Sequence, residues 1–497
     1  MLLLLTVAVA VAGWLLWKDY RTRYYWRRLG ADWKEACPLY HPRALLRSLT
    51  PGLPQICRFY ESSSSPILGF FKGRTPVLMI RDPALVVAIM HGDFQHFTDK
   101  RHPIQLDKSE DPLSQHLIGL TGEKWKTIRS KLTPIFSSGK IKESLPLIEE
   151  AVDAILPELA TTEAIDIYPL AVTLVTDVIL SYAFGLSRED PNRGLVRRMG
   201  MRSIQSNYRT ALKRSIRFCF PKLFRLLRLR AFEPQVTSFF VEFVKQAVLK
   251  IQTSSHVGRA DFISRLGNVA ATVPDEERDG VVAAQVFSFY VAGFETTCFA
   301  LSTCIYELSK NPRFLMKARN ELDALLEKHG HFSYEALQEA IYLTQIIQES
   351  MRMYPADYAT PRICTKPYNI PGTSITLEKG TEVLIPGFCL SRDPKYHKEP
   401  LKFDPERFSK DNKANMIPGT YLPFGDGPRK CIAVRFSMLE LKYVLARLIS
   451  AYDMHLDPAT PRELTFDENS RVTHYCGKIL IRFKNRRNLS SEQIPEV

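Results

Sequence analysis

The residue types for metal chemistry are concentrated in one stretch, Pro423-Phe424-Gly425-Asp426-Gly427-Pro428-Arg429-Lys430-Cys431-Ile432-Ala433. Gly425, Gly427 and Pro428 break regular structure and allow a tight turn ahead of the amphipathic run 434–448. Amide N–H groups of such a turn and helix start can point at the Cys431 sulfur and favour thiolate over thiol. Arg429 and Lys430 add positive charge beside it. A single thiolate held this way suits a metal, and haem iron is one that takes a lone cysteine as axial ligand. A half-buried structural cysteine is the plainer reading of a bare Gly-x-x-Cys loop.

Three further groupings could do chemistry. Ala292-Gly293-Phe294-Glu295-Thr296-Thr297 stands midway along Val281 to Lys310, a run apolar nearly all round and so expected as a buried helix. Small residues at 292 and 293 let a flat ligand approach the backbone. Thr296 can bond an upstream carbonyl and open the helix locally, and Glu295 can relay protons. Trp125-x-x-x-Arg129 sets two anion donors on one helical face. Glu349-x-x-Arg352 is an i, i+3 ion pair among apolar neighbours, to which Arg407 can add a second guanidinium. Taken singly, these also read as a kinked helix, a tryptophan stacked on a surface arginine and an exposed ion pair.

Phe424-x-x-Gly427-x-Arg429-x-Cys431 resembles the haem-binding signature of the cytochrome P450 monooxygenases, and the other groupings follow that family's order. The stretches Asp111-Pro112-Leu113-Ser114 and Lys131 through Lys140 look like its arthropod-rich clan, which includes insect detoxification enzymes; vertebrate drug-oxidising members are also similar here. The resemblance spans roughly residues 66–485. It implies a mainly α fold with a smaller β region. Haem b (iron protoporphyrin IX) would lie between the 281–310 helix and the helix after Cys431.

The resemblance also assigns roles. Cys431 is the metal ligand, and Thr296 and Glu295 manage protons. Trp125, Arg129, Arg362, Phe424 and Arg429 hold the cofactor, its propionates above all. Glu349, Arg352 and Arg407 form a structural network that shapes the cysteine loop. The implied reaction inserts one atom of dioxygen into an apolar small molecule: a xenobiotic, steroid, terpenoid or fatty acid. Electrons come from a membrane-bound NADPH-cytochrome reductase docking on Lys126, Lys430 and Arg435, with cytochrome b5 as an optional second partner. Phe287, Phe294, Tyr358 and the 101–118 loop are expected to line the pocket. One departure is Ala433, where the family usually has glycine. A haem-thiolate isomerase or dehydratase, or a membrane haem binder without turnover, are the alternatives.

These groups need a scaffold and a location. Hydrophobic residues make up 45% of the 497 and charged residues 24%, which excludes a disordered chain. The nine cysteines form no Cys-x-x-Cys pair, so neither a zinc site nor a disulfide framework is indicated, and a reducing compartment is the simpler inference. Most of the net charge of +14 falls in two segments, Lys18 to Arg28 and Arg202 to Arg230. Both are interleaved with aromatic residues and leucine, which favours a lipid surface over nucleic acid. Met1 to Trp17 carries no charged side chain and is followed by basic residues. Residues 1–20 therefore read as a membrane anchor, with the rest on the cytoplasmic face of the endoplasmic reticulum. Residues 21–65 read as a linker and 66–497 as the catalytic domain.

Local patterns predict a strand pair within Pro66 to Ile80, and helices over Pro83 to Met90, Gly122 to Lys131 and Tyr342 to Tyr354. Mostly helical structure is expected across 145–250. A terminal hairpin is predicted over Leu464 to Phe483, with its turn near Thr473 to Gly477 reaching the pocket.

Overall fold

The computed structural model describes residues 13, 17, 20–22, 24–34, 51–73, 75–101, 111–159, 163–204, 208–253, 262–263, 266–270, 273–468, 470 and 472–486. Most of the expected anchor lies outside these residues, as does part of the 101–118 loop. The fold is mainly α with a smaller β region.

The central element is the helix Asp275–Lys310, which begins six residues earlier than its apolar pattern. Asp275, Glu276 and Glu277 occupy its first turn, where the helix dipole favours negative charge. Its next turns are buried nearly all round, against Ile167–Phe184 on one side and Val434–Ala451 on another. Both Ile167–Phe184 and Asp275–Lys310 are long and apolar enough to cross a bilayer, yet both are mostly buried by the protein itself. They are core helices.

The main sheet has four strands in the order Ile67–Lys72, Thr75–Ile80, Glu382–Ile385, Thr360–Ile363. The first two form the expected hairpin, Ile67 opposite Ile80 and Lys72 opposite Thr75. Arg362 sits on the last strand opposite Val383, fully buried. The helix expected over 83–90 is α only for Pro83–Val87 and continues as a π-turn, Ala88–Gly92.

Two expectations are corrected by packing. The described part of the linker is folded onto the sheet. Trp26 is fully buried, its indole donates to the Phe70 carbonyl at 3.0 Å, and its ring fills the space beside Gly69 that a Cβ would need. Residues Leu53–Glu61 form a helix. The terminal hairpin is shorter than predicted: Phe466 bridges Tyr475, flanked by backbone bonds from Asp467 N to His474 O and Cys476 N to Thr465 O, each 2.8 Å. The following strand, Leu480–Asn485, leaves this hairpin and pairs with Tyr452–Leu456 and Ile165–Asp166. The turn falls between Asp467 and His474, upstream of the expected place.

Candidate active site around Cys431

The cysteine loop is shaped by two glycines in the left-handed region, at one of which no side chain fits. Gly425 and Gly427 have φ of 65° and 66°, and a Cβ on Gly427 would lie 1.8 Å from the Met90 carbonyl oxygen. Asp426 accepts from the Gly427 amide at 2.9 Å and faces His91 Nε2 at 2.8 Å. The loop then folds back, the Cys431 amide donating to the Phe424 carbonyl at 2.9 Å. Cys431 and Phe424 both open into a cavity of about 690 Å³. The surface Cys431 exposes therefore faces this interior space.

Across the cavity from the loop is the middle of the central helix. Ala292, Gly293, Glu295 and Thr296 all line it. Thr296 Oγ1 donates to the Ala292 carbonyl at 2.7 Å, the local bond anticipated from the sequence. Phe287 and Phe294 do not line the cavity, contrary to expectation. Phe287 packs on Phe232 and Phe240, and Phe294 stacks on Tyr290, so both belong to the helical core. Ser288, Phe289 and Ala292, one or two residues away, line it instead, a helical-phase difference that burial on all sides conceals in the sequence. Tyr358, Arg101, Leu117 and Ile118 do line it, and so do Glu468, Ser470 and Val472 from the C-terminal turn. Gln285 ties the 112–118 segment to the central helix, accepting from Leu117 N at 2.9 Å and donating to the Gln115 carbonyl at 3.0 Å.

Cationic groups on and beside the cavity wall come from separate parts of the chain. Trp125 and Arg129 line the cavity from the helix Gly122–Leu132. Arg429 stacks on the Trp125 indole and donates to the carbonyls of Thr98 (2.8 Å) and Leu120 (3.1 Å) and to Asp99 Oδ1 (3.2 Å). Arg362 donates from Nη1 to the Pro361 carbonyl at 3.0 Å, while its buried Nε and Nη2 have no hydrogen-bond partner among the described residues. A buried guanidinium with unfilled donors calls for an anion.

Two neighbours were not foreseen. Lys100 lines the cavity, and burial, then the charges of Arg362 and Arg429, push its ammonium down to about 8. Asp99 accepts from Gly122 N at 2.9 Å as well as from Arg429, and so fixes that guanidinium. Single Asp and Lys residues carry no pattern, so no sequence signal marks them.

Burial pushes the Cys431 thiol up, against the Ala433 amide and the charges of Lys100, Arg129 and Lys430, which pull it down. The loop's amides and cations act in the expected direction, but desolvation outweighs them. A thiolate here needs a further positive charge at the sulfur, which a metal ion supplies. One thiolate ligand, unfilled guanidinium donors and a floor of small residues at 292 and 293 together fit haem, with its iron and two propionates. Ala433 has φ −96°, a conformation open to any residue, so its methyl group introduces no backbone strain.

On the helix Ile341–Met353, Glu349 and Arg352 are wholly buried. Glu349 accepts from Arg352 Nε at 2.7 Å and Nη2 at 2.9 Å, from the Asp404 amide at 3.0 Å, and from Arg407 Nε at 3.4 Å. Arg352 Nη1 donates to the Ser391 carbonyl at 2.8 Å. The two arginines expected from the sequence do converge on one carboxylate.

Comparison with known proteins agrees with this geometry. The sequence model of the family described as Cytochrome P450 matches residues 44–479. Cytochrome P450 6a2 of Drosophila melanogaster is 32% identical over 97% of this chain and 99% of its own length. Cytochrome P450 6d3 of Musca domestica is 32% identical over 95% and 96%, and Cytochrome P450 6k1 of Blattella germanica 30% over 97% and 96%.

Proposed function

The chain belongs to the cytochrome P450 family of haem-thiolate monooxygenases, and we propose that it oxygenates an apolar small molecule at a membrane surface, using electrons that a reductase draws from NADPH. The observation that carries this reading is that Cys431, Arg129 and, from the central helix, Ala292, Gly293, Glu295 and Thr296 line one largely apolar cavity, with the buried guanidinium of Arg362 next to its lining residue Pro361. Bound haem supplies the activation of dioxygen and the transfer of one oxygen atom to substrate.

In this reading the chain's own groups bind, orient and supply protons. Cys431 Sγ would hold the haem iron. Arg362, Arg129 and Lys100 would neutralise the propionates, and Arg429, stacked on Trp125, would add its charge. Thr296 Oγ1 keeps its hydrogen on the Ala292 carbonyl, so its lone pairs accept from water in the cavity. Glu295, beside it, takes up protons at its carboxylate and releases them toward that water. Phe289, Leu117, Ile118 and Tyr358 exclude bulk water and select for an apolar substrate.

Membrane association draws support from a second patch. Phe220, Leu223, Leu226 and Leu227 are exposed amid Arg225 and Arg228, an arrangement suited to the interface of an anionic leaflet. The proposed location is the cytoplasmic face of the endoplasmic reticulum.

The deciding measurement is the carbon monoxide difference spectrum in membranes, with NADPH and reductase as the only reductant. A strongly red-shifted Soret band is expected. A band typical of histidine- or thiol-ligated haem, or no reduction, would overturn the assignment of Cys431 or of the electron source respectively.

A further inference from the structure

Away from the haem-side cysteine, two other thiols meet. Cys389 Sγ lies 3.5 Å from Cys57 Sγ and donates its hydrogen toward it. Cys57 is half-buried on the helix Leu53–Glu61, and Cys389 is buried on the helix Gly387–Ser391. A disulfide needs sulfurs about 2.0 Å apart, so closing the bond asks each sulfur to move less than ~1 Å.

The first helix borders the cavity, and the second follows a strand that does. Pro51 and Ile56, from the first helix and its approach, line it. So do Glu382 and Leu384, on the strand that leads into the second. The first helix is held at its end by Tyr60, whose hydroxyl donates to Asp393 Oδ2 at 2.6 Å, and at its start by Gly52 packed on the Glu468 carbonyl. Between those ends, Cys57 meets Cys389 of the second helix, within an apolar cluster that Ile56 and Leu390 share.

We propose that Cys57 and Cys389 form a reversible dithiol–disulfide site, oxidised by small-molecule disulfides of the glutathione type, that locks the helix Leu53–Glu61 to the helix Gly387–Ser391 and so stiffens one wall of the cavity. Cys57 is the attacking sulfur. It is the more accessible of the two, and the hydrogen bond from Cys389 favours its thiolate over the opposition of burial and Glu61. The Cys57 thiolate attacks one sulfur of the small disulfide, whose S–S bond breaks and releases one thiolate. Cys389 then passes its proton to a leaving thiolate and attacks the Cys57 sulfur, expelling the second small thiol. Two protein thiols are oxidised by two electrons, and the small disulfide becomes two thiols. Arg392, whose charge lies near both sulfurs, favours the thiolate at each step.

The test uses full-length, haem-loaded protein equilibrated across ratios of reduced to oxidised glutathione. Free thiols are alkylated, and the peptides are mapped by mass spectrometry. The expected result is a Cys57–Cys389 linked peptide that forms with oxidation and disappears with dithiothreitol. In the same samples the on-rate of a bulky apolar ligand, followed at the Soret band, falls severalfold on oxidation. Cys57→Ser keeps the on-rate of the reduced protein at every ratio. Cys389→Ser stops at a glutathione adduct on Cys57. Glutathione adducts without a linked peptide in the unsubstituted protein would overturn the site. A linked peptide with an unchanged on-rate would overturn its effect on the cavity. The peptide readout is independent of turnover, so its failure is distinguishable from a failure of the monooxygenase reading.

Discussion

The Arg429 guanidinium lies 3.7 Å from the centre of the Trp125 indole, joining the cysteine loop to the helix Gly122–Leu132. Its hydrogen bonds to Thr98, Leu120 and Asp99 extend the same tie to the segment before that helix. Arg429→Lys keeps the charge but loses the planar fork and the stack. It is expected to cost about 1–3 kcal/mol, the range for leaving buried carbonyls short of a donor, and to speed haem loss. Denaturant midpoints and the rate of haem transfer to apomyoglobin check this. Unchanged values for both would show that the stack contributes nothing.

Glu349→Leu removes the acceptor shared by Arg352, Arg407 and the Asp404 amide. Two cations are left uncompensated, one of them fully buried, at a cost of about 3–5 kcal/mol. Haem-poor, aggregating protein is expected, read as the ratio of Soret to protein absorbance. Normal haem content in this variant refutes the network.

Glu440 gives a pH dependence. It lines the cavity fully desolvated, its Oε1 has no hydrogen-bond partner among the described residues, and burial pushes its carboxyl up to about 8. The folded chain then holds a proton that the unfolded chain has released between the ordinary glutamate value of 4.5 and about 8. Stability therefore falls as pH rises through that window, by at most about 1.4 kcal/mol per pH unit. Glu440→Gln should flatten that slope, measured as urea midpoints between pH 5 and 8. Parallel slopes for both proteins would refute the assignment.

Ala433→Gly should leave the carbon monoxide Soret position unchanged and alter stability by less than about 1 kcal/mol, because the Ala433 backbone has no need of glycine. A band that appears only in the glycine variant would show instead that the methyl group obstructs haem.

Lys126, Lys430 and Arg435 are exposed around the loop that the Arg429–Trp125 contact draws together, and Arg435 is steadied by Ser138 at 3.0 Å. If they dock a reductase with an acidic face, NADPH-driven reduction should slow as salt rises, and Lys126→Glu with Lys430→Glu should slow it further while weakening the salt effect. Reduction that accelerates steadily with ionic strength counts against this patch.

The sequence by itself determined the chemistry-bearing stretches and most of the elements that carry them. The Cys431 loop declares itself through glycines whose conformations no other residue adopts easily, and the central helix through an apolar run too long to be anything else. Thr296 was legible because its bond to Ala292 is local, within one helical turn. Only the tertiary structure decided what depends on contacts between distant segments. Helical phase within an all-apolar run sends Phe287 and Phe294 into the core and Phe289 into the cavity. The Trp26 burial that folds the presumed linker onto the sheet, the pairing of Leu480–Asn485 with Tyr452–Leu456, and the meeting of Cys57 with Cys389 are likewise long-range. Lys100, Asp99 and Glu440 matter because of burial and of the charges around them, and a residue's environment is assembled only when the chain has folded.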